Sequence, residues 1–392
     1  MKFSMIFEAQ TTDPSRDGEK RVFAECVEQA LAAEQQGYNG VWAVEHTSLT
    51  MYAHMTAPET FLAFLAGATS TIEIGHGVVC LPHAMNHPIK VAERIATLDI
   101  LSKGRVMFGV GKGGTMQEAG AFGNQLDELQ DQVDESMYMI PKMWSQDEFS
   151  FESDKTGLKI PPRPIFPKPY QPQHPPMFLA CTREHTLNMA GERGLGALVL
   201  GFGGPDDVAK KNAVYREAFA RRTAEDQVGD FATEHLAALC PAIILDDAHE
   251  ARRIGLRGQR FFAESLAYWY QGGPKPSTAE LDEEELEAVL AEEKQKVIAF
   301  LGEEKIPVGT EHTGIYNANN AYGTVDDAIT YIERLIAAGA DEILFLHQMG
   351  TVPHWAIMET IKNIGEKIIP HFREKYGEGK VKVHQSLRAS AA

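Results

Sequence analysis

Short runs of apolar residues alternate along the chain with segments in which apolar residues recur every three to four positions. Runs of the first kind are typical of strands buried on both faces of a parallel sheet, and segments of the second kind are typical of amphipathic helices. The pattern predicts eight strands, each followed by a helix, at 2–9, 40–46, 72–81, 105–111, 177–182, 196–202, 236–245 and within 324–348. Eight such units close into a barrel, so the predicted fold is an α/β protein of the (β/α)8, or TIM-barrel, type.

Two segments interrupt this alternation, at about 145–176 after strand 4 and about 249–323 after strand 7. The first contains the proline-rich stretch 160–176, which we predict to be a surface loop because proline fits neither a helix nor a central strand. The second contains an aromatic helix at 259–270 and an acidic helix. A barrel needs about 250 residues. These insertions account for the excess, and we predict a single barrel domain over 1–392.

Net charge, apolar runs and cysteine spacing argue against several classes of partner, namely nucleic acid, membranes and metal ions. The formal net charge of −18 is unfavourable for binding nucleic acid or an anionic membrane surface. No apolar run approaches the roughly 18 residues of a membrane-spanning helix, and the opening segment does not have the pattern of a signal peptide. The four cysteines are scattered without metal-binding spacing, so we predict no metal site and free thiols in a reducing cytoplasm.

Glycines after the fourth predicted strand form the pattern Gly109-x-Gly111-x-x-Gly114, which is also found in dinucleotide-binding folds. In those folds the glycines follow the first strand and lead directly into a helix. Here they follow strand 4, and we predict that 115–125 is a loop, so the context argues against a nicotinamide-binding domain. Two interpretations remain open: a simple tight turn, or a phosphate-binding loop in which backbone amides and Lys112 contact the anion.

Catalytic residues of a barrel lie where its strands end, and several of these positions are polar. His46 follows strand 2, where a histidine acts as an acid, a base or a hydrogen-bond donor, or is structural. Arg183 and Thr186 flank the start of the helix after strand 5, which suits a phosphate and equally fits a capped helix with a surface arginine. Other functional groups at the predicted strand ends belong to Glu8, Glu45, His83, Lys112, Thr182, His347 and Gln348.

Phe261, Phe262, Leu266 and Trp269 share one face of the predicted aromatic helix. Such a stripe is compatible with core packing. Because the insertion follows strand 7, the stripe is also compatible with a lid or a substrate wall at the barrel mouth.

Four passages make the chain resemble the bacterial-luciferase-like, flavin-dependent oxidoreductases, a family of (β/α)8 barrels. They lie at 37–46, 77–114, 175–202 and 324–372, and the second is the most specific. Together they frame almost the whole chain and leave 225–323 poorly covered.

The resemblance implies a flavin site at the barrel mouth. His46 matches the active-site histidine of an EHH motif whose second histidine is here Thr47, and Lys112 stands where the family has an arginine. A cis peptide between Gly77 and Val78 is implied under the flavin ring. The cofactor-binding residues implied are Gly77, Val78, Gly111, Lys112, Thr182, Arg183 and Thr186. The substrate would be walled by Met51, Tyr52, His54, Phe261, Phe262 and Trp269.

The chemistry implied by the resemblance is two-component monooxygenation of a small organic substrate. Reduced FMN from a separate NAD(P)H:flavin reductase reacts with O2 to give a C4a-peroxyflavin, for which the protein must supply an apolar, closable pocket. Two alternatives stay open, namely hydride transfer with the deazaflavin F420 and flavin binding without catalysis. The helices at 58–69 and 88–102 are unusually apolar, and relatives commonly dimerise there, so we expect a homodimer.

Overall fold

Eight parallel strands close into a barrel in the computed structural model, which describes residues 1–301 and 314–387. The barrel strands are β1 (Lys2–Phe7), β2 (Gly40–Ala43), β3 (Glu73–Cys80), β4 (Val106–Gly111), β7 (Met177–Cys181), β8 (Gly196–Val199), β10 (Leu236–Ile244) and β12 (Glu342–Leu346). Each pairs with its neighbours in this order, and β12 pairs with both β10 and β1, which closes the cylinder. The predicted (β/α)8 fold is confirmed. The strands outside this ring are β5 (Phe149–Glu152), β6 (Lys159–Arg163), β9 (Phe231–Thr233), β11 (Ala321–Gly323) and β13 (Val383–Gln385).

Helices surround the barrel, and their ends carry recognisable signals. The helices are α1 (Arg16–Gln35), α2 (Pro58–Ala68), α3 (Pro88–Leu101), α4 (Met116–Ala121), α5 (Leu129–Ser145), α6 (Glu184–Arg193), α7 (Pro205–Ala220), α8 (Ala248–Gln271), α9 (Glu283–Leu301), α10 (Val325–Ala337), α11 (His354–Asn363) and α12 (Ile369–Tyr376), with a π-helical turn (Ile364–Ile368) between the last two. Three of them, α2, α3 and α7, begin at a proline, whose fixed φ suits the first helical turn. Within 1–301 and 314–387, no helix combines the length and the apolar character needed to cross a bilayer.

Residues 115–125, predicted to be a loop, contain the short helix α4, so that prediction was wrong. The hydroxyl of Thr115 accepts a hydrogen bond from the amide of Glu118, and the carboxylate of Glu118 accepts one from the amide of Thr115. This reciprocal capping box stabilises the first turn of a helix that the surrounding glycines disfavour.

The two interruptions also differ in detail from the prediction. Pro161 and Pro162 lie in β6, which pairs only with β5 in a two-stranded sheet. An edge strand tolerates proline because the position without an N–H group can face away from the partner strand. The aromatic stretch 259–270 is the second half of the 24-residue helix α8, which follows β10 almost directly.

The amino-terminal end of the barrel holds a buried network of charges. Nζ of Lys2 lies 2.5 Å from a carboxylate oxygen of Glu73 and 3.3 Å from one of Glu342. Glu342 also lies 2.9 Å from Nε2 of His235 and accepts a hydrogen bond from the indole of Trp42. Burial opposes the charge of Glu342, but Lys2 and His235 outweigh burial and hold the pKa of Glu342 well below its usual range. The network therefore ties β1, β3 and β12 together at the end opposite the mouth.

Candidate active site

Two buried glutamates flank the imidazole of His46 at the carboxyl ends of the barrel strands. Glu8 follows β1, His46 follows β2, and Glu118 belongs to α4, beyond β4. Nδ1 of His46 lies 2.8 Å from Oε1 of Glu118, which is a hydrogen-bond distance, and Nε2 of His46 lies 4.0 Å from Oε2 of Glu8. We call Glu8, His46 and Glu118 the His46 cluster.

The three members of the His46 cluster differ in protonation. Burial opposes the charge of Glu118, but its hydrogen bonds to His46 and Thr115 outweigh burial and lower the pKa of Glu118. Burial raises the pKa of Glu8 to about 7, and the nearby His46 offsets only part of this effect. Burial disfavours the imidazolium form of His46, but Glu118 and then Glu8 and Glu45 more than compensate and raise the pKa of His46. At neutral pH, Glu118 is therefore ionised and Glu8 is near its titration midpoint.

Backbone hydrogen bonds fold the loop 44–57 back onto the end of β1, and this places His46 beside Glu8. The amide of His46 donates to the carbonyl of Met55, and the amide of Met55 donates to the carbonyl of Glu8. Ser48 and Met51 have φ values of 63° and 68°, in the left-handed region that non-glycine residues rarely adopt. These two residues make the reversal of the loop.

Three residues of this loop were predicted to wall a substrate, and the structure separates them. The buried ring of Tyr52 has its centroid 5.1 Å from that of the His46 imidazole. Met51 is half-buried, and its amide donates to the ring of His54. His54 points towards α1, where its Nδ1 lies 3.3 Å from the carboxylate of Glu19. Tyr52 therefore contacts the His46 cluster, whereas His54 does not.

The aromatic half of α8 lies over the barrel mouth. The ring of Phe262 is 5.5 Å from that of Tyr52 and 5.3 Å from that of Phe202, which lies beyond β8. The indole of Trp269 donates a 3.0 Å hydrogen bond to the carbonyl of Thr50. A chain of ring contacts thus runs from the His46 cluster through the loop 44–57 to α8.

The same helix reaches the loops beyond two further strands. Phe261 packs against Gly350, after β12, where an added Cβ would lie 2.1 Å from the phenyl ring. Tyr270 packs against Gly114, after β4, where an added Cβ would lie 2.2 Å from the phenol oxygen. The helix predicted to be a lid or wall therefore covers loops from opposite sides of the mouth.

Two cations lie beyond the neighbouring strands β4 and β7. Lys112 follows β4, and Arg183 precedes α6, whose first amides carry partial positive charge. Burial lowers the pKa of His185, and the charges of Arg183 and Lys112 lower it further, which shows that both cations lie near one ring. Thr182 follows β7 directly. The hydroxyl of Thr186 is engaged by the backbone, since it accepts from the amide of Arg183 and donates to its carbonyl.

The peptide bond between Gly77 and Val78 is cis, which the resemblance implied. At this point β3 shifts its register against β4, between His76 and Val79. Gly77 and Val78 are half-exposed, whereas the residues on both sides of them are buried. Gly111 packs against this pair, because an added Cβ there would lie 2.5 Å from Cγ2 of Val78.

Glu45, the neighbour of His46, is engaged elsewhere. Its carboxylate accepts hydrogen bonds of 2.7 Å from the amide of Cys80 and 2.8 Å from the side chain of Asn86. Glu45 therefore ties the end of β2 to the end of β3 and has a structural role.

Sequence reasoning assigned no role to Glu8 and did not find Glu118. The pattern Thr115-x-x-Glu118 is typical of a capping box and marks a helix start. The long-range bond between Glu118 and His46, which lie 72 positions apart, has no local signal in the sequence.

Comparisons with known proteins show the family and the fold of this chain. The family model described as luciferase-like monooxygenase matches residues 1–335. The F420-dependent hydroxymycolic acid dehydrogenase of Mycobacterium tuberculosis is 35% identical over 178 residues, which is 43% of this chain and 47% of that protein. The oxygenase component of the flavin-dependent trigonelline monooxygenase of Acinetobacter baylyi is 23% identical over 387 residues, or 97% of each chain. The crystal structure of monooxygenase RslO1 from Streptomyces bottropensis has the same fold, with a TM-score of 0.73 at 22% identity over 95% of this chain and 100% of that chain.

The matches cover different lengths of this chain and of its relatives. The chain spans about half the length of the first curated relatives that it matches, including the dehydrogenase. The family model, in contrast, runs from residue 1 to residue 335 and includes the His46 cluster and both cations. The chain therefore belongs to the luciferase-like monooxygenase family.

Proposed function

We propose that this protein is the oxygenase of a two-component, flavin-dependent monooxygenase, which oxidises a small organic molecule with reduced FMN and O2. The observation that carries the proposal is the position of the His46 cluster beneath α8, at the same mouth as Lys112 and Arg183. Family membership and the end-to-end similarity to the trigonelline monooxygenase component support it. A separate NAD(P)H:flavin reductase would supply the reduced flavin.

The residues at the mouth fit FMN. Lys112 and Arg183, with the first amides of α6, form a donor set suited to a terminal phosphate. The half-exposed Gly77 and Val78 leave backbone accessible for the flavin ring. When bound, reduced FMN supplies the activation of O2.

Side chains of this protein exclude water, orient His46 and exchange a proton with the reactant. Tyr52 and Phe262 are almost fully buried between the loop 44–57 and α8, and they exclude water from the His46 cluster. Glu118 binds Nδ1 of His46 and so fixes the orientation of the ring. Nε2 of His46 is then the nitrogen available to give a proton to a reactant or to take one from it.

Hydride transfer with F420 is the second candidate function. The 35% identity with the F420-dependent hydroxymycolic acid dehydrogenase favours it, although that match covers 47% of the dehydrogenase. The phosphate-binding donors described above are compatible with either cofactor.

Oxygen dependence separates the candidates. Purified protein is supplied with FMN, NADH, a generic flavin reductase and a panel of small organic molecules. We expect substrate loss only when both FMN and O2 are present. Anaerobic turnover with F420 would instead establish the second candidate, and flavin binding without any turnover would indicate a non-catalytic flavoprotein.

Arg183→Ala is expected to raise the Kd of FMN about 10- to 100-fold, because a hydrogen bond to a charged group contributes about 1.5–3 kcal/mol. The Kd of riboflavin, which has no phosphate, should change little. Both constants are measured by fluorescence titration of the purified protein. Arg163→Ala, which changes an exposed arginine on β6, is the matched control. Equal weakening of FMN and riboflavin binding would show that Arg183 does not contact the phosphate.

We also propose that the protein is a homodimer formed through α2 and α3. Phe64 on α2 is 57% exposed, and Ile100 and Leu101 at the end of α3 are 41% and 61% exposed. A groove of about 350 Å³ lies between these helices and is lined mostly by their side chains. Of the three exposed side chains, Leu101 lines this groove. Exposed apolar side chains on adjacent helices are typical of an interface.

The double variant Phe64→Glu/Leu101→Glu is expected to be monomeric at micromolar concentration, because each copy would bury two carboxylates at the interface. Size-exclusion chromatography with light scattering gives the mass. Phe166→Glu is the matched control, since Phe166 is 64% exposed and belongs to the proline-rich segment, not to α2 or α3. A monomeric wild-type protein would refute the proposed dimer.

A further inference from the structure

We propose that Glu8 is a positioning residue that stores a proton for His46 and returns it to Nε2 after His46 has given its own proton to a reactant. This inference rests on the proposed function, in which His46 exchanges a proton at the barrel mouth. Two geometric facts carry it. Oε2 of Glu8 lies 4.0 Å from Nε2, the ring nitrogen that Glu118 leaves free. That oxygen is also buried and has no hydrogen-bond partner among the residues that the structure describes.

The buried Glu342 and the half-buried Glu45 are engaged differently. Glu342 is held by a lysine, a histidine and an indole, and Glu45 by a backbone amide and an asparagine. Oε2 of Glu8 has no donor of this kind among residues 1–301 and 314–387, and it faces a titratable ring instead. A buried carboxyl group without donors is more stable as the neutral acid, which has one O–H group to donate.

The step transfers one proton and conserves charge. The O–H bond at Oε2 of Glu8 breaks, an N–H bond forms at Nε2 of His46, and the neutral pair becomes a carboxylate and an imidazolium. The separation of 4.0 Å is longer than a hydrogen bond. A movement of about 1 Å closes it, and catalytic hydrogen bonds commonly tighten in this way when a ligand binds.

The charged groups around this pair keep a proton available at neutral pH. Glu118, on α4, is bonded to His46, and Glu45, in the loop after β2, also favours the imidazolium form. Tyr52 contributes its ring from the same loop. Burial raises the pKa of Glu8 to about 7, with His46 opposing this effect and Glu118 adding to it. The pair therefore gains and loses its proton within the range in which an enzyme normally works.

Titration of His46 by NMR tests the inference without flavin or substrate. The protein is labelled with [13Cε1]histidine, and the His46 signal among the 14 histidines is assigned by its loss in His46→Asn. In the wild type we expect two coupled titration steps, because the proton is shared between two groups. In Glu8→Gln we expect a single step with its midpoint at lower pH, because a carboxylate that favours the imidazolium form has been removed.

Three controls make the result decisive. Glu28→Gln removes a carboxylate from the exposed pair with His354 and should leave the His46 curve unchanged. Glu8→Asp, which retains the acid, should keep two steps. The melting temperature of Glu8→Gln at pH 8 should be no lower than that of the wild type, because glutamine resembles the neutral acid in shape and charge. If it is lower, the titration curve of His46 in Glu8→Asp tests the role of Glu8 instead. A His46 curve that is the same in the wild type and in a folded Glu8→Gln overturns the role of Glu8 whatever the cofactor. If His46 titrates in two coupled steps but the protein turns over no substrate, the proposed function is overturned and the role of Glu8 as a proton store for His46 is not.

Discussion

His46→Asn is expected to slow oxygen-dependent substrate oxidation about 100-fold or more, because a positioned acid or base contributes about 10²–10⁴-fold to such reactions. The variant keeps a side chain that can hydrogen-bond to Glu118 but loses the group that titrates. The Kd of FMN should be unchanged, since the donors proposed for the phosphate lie beyond β4 and β7. NADH consumption should continue and release hydrogen peroxide, because oxygen activation then proceeds without transfer to the substrate.

The measurement compares product formed with NADH consumed, in the presence of a flavin reductase and saturating substrate. His249→Asn is the matched control, because this histidine lies on α8 with a side chain that is 92% exposed. If His46→Asn forms product at the wild-type rate, His46 is not the acid or base of the reaction.

Lys2→Met is expected to lower the free energy of unfolding by about 3–5 kcal/mol, the usual cost of breaking a buried ion pair. Its side chain is 1% exposed, so Glu342, whose side chain is fully buried, would lose its lysine partner, and so would the half-buried Glu73. Urea unfolding, followed by circular dichroism, measures the change. Lys20→Met removes an exposed pair with Asp17 on α1 and should leave the stability nearly unchanged. Equal stability of the two variants would show that the network at the base of the barrel contributes little.

The same network predicts a dependence on acid pH. The pKa of Glu342 is lower in the folded protein than its usual value of 4.5, so its contribution to stability is present above that value and is lost as pH falls. Lys2 is the main cause of the lowering, and Lys2→Met should therefore flatten the loss of stability below about pH 4.5. An acid-unfolding profile as steep as that of the wild type would contradict this.

Most of the barrel could be predicted because its signals are local. Each strand is a short apolar run, and several helices begin at a proline or end at a glycine, so they can be read from neighbouring residues. The helix α4 was missed because glycines flank it, although the capping box from Thr115 to Glu118 was present in the sequence. The second half of α8 was taken for a separate helix because it is aromatic, whereas the helix runs unbroken from Ala248 to Gln271.

The sequence by itself determined the barrel, the order of its strands and the mouth at which polar strand ends collect. It also predicted a role for His46 and revealed the glycine loop by its pattern, and the family resemblance implied a flavin site there. Only the tertiary structure decided which groups share the proton of His46. Glu8 and His46 lie in the loops after β1 and β2 and Glu118 lies in α4, and closure of the barrel is what brings them together. The pKa of Glu8 and the free nitrogen of His46 depend on that closure, because burial and the distance between charges are properties of the folded chain.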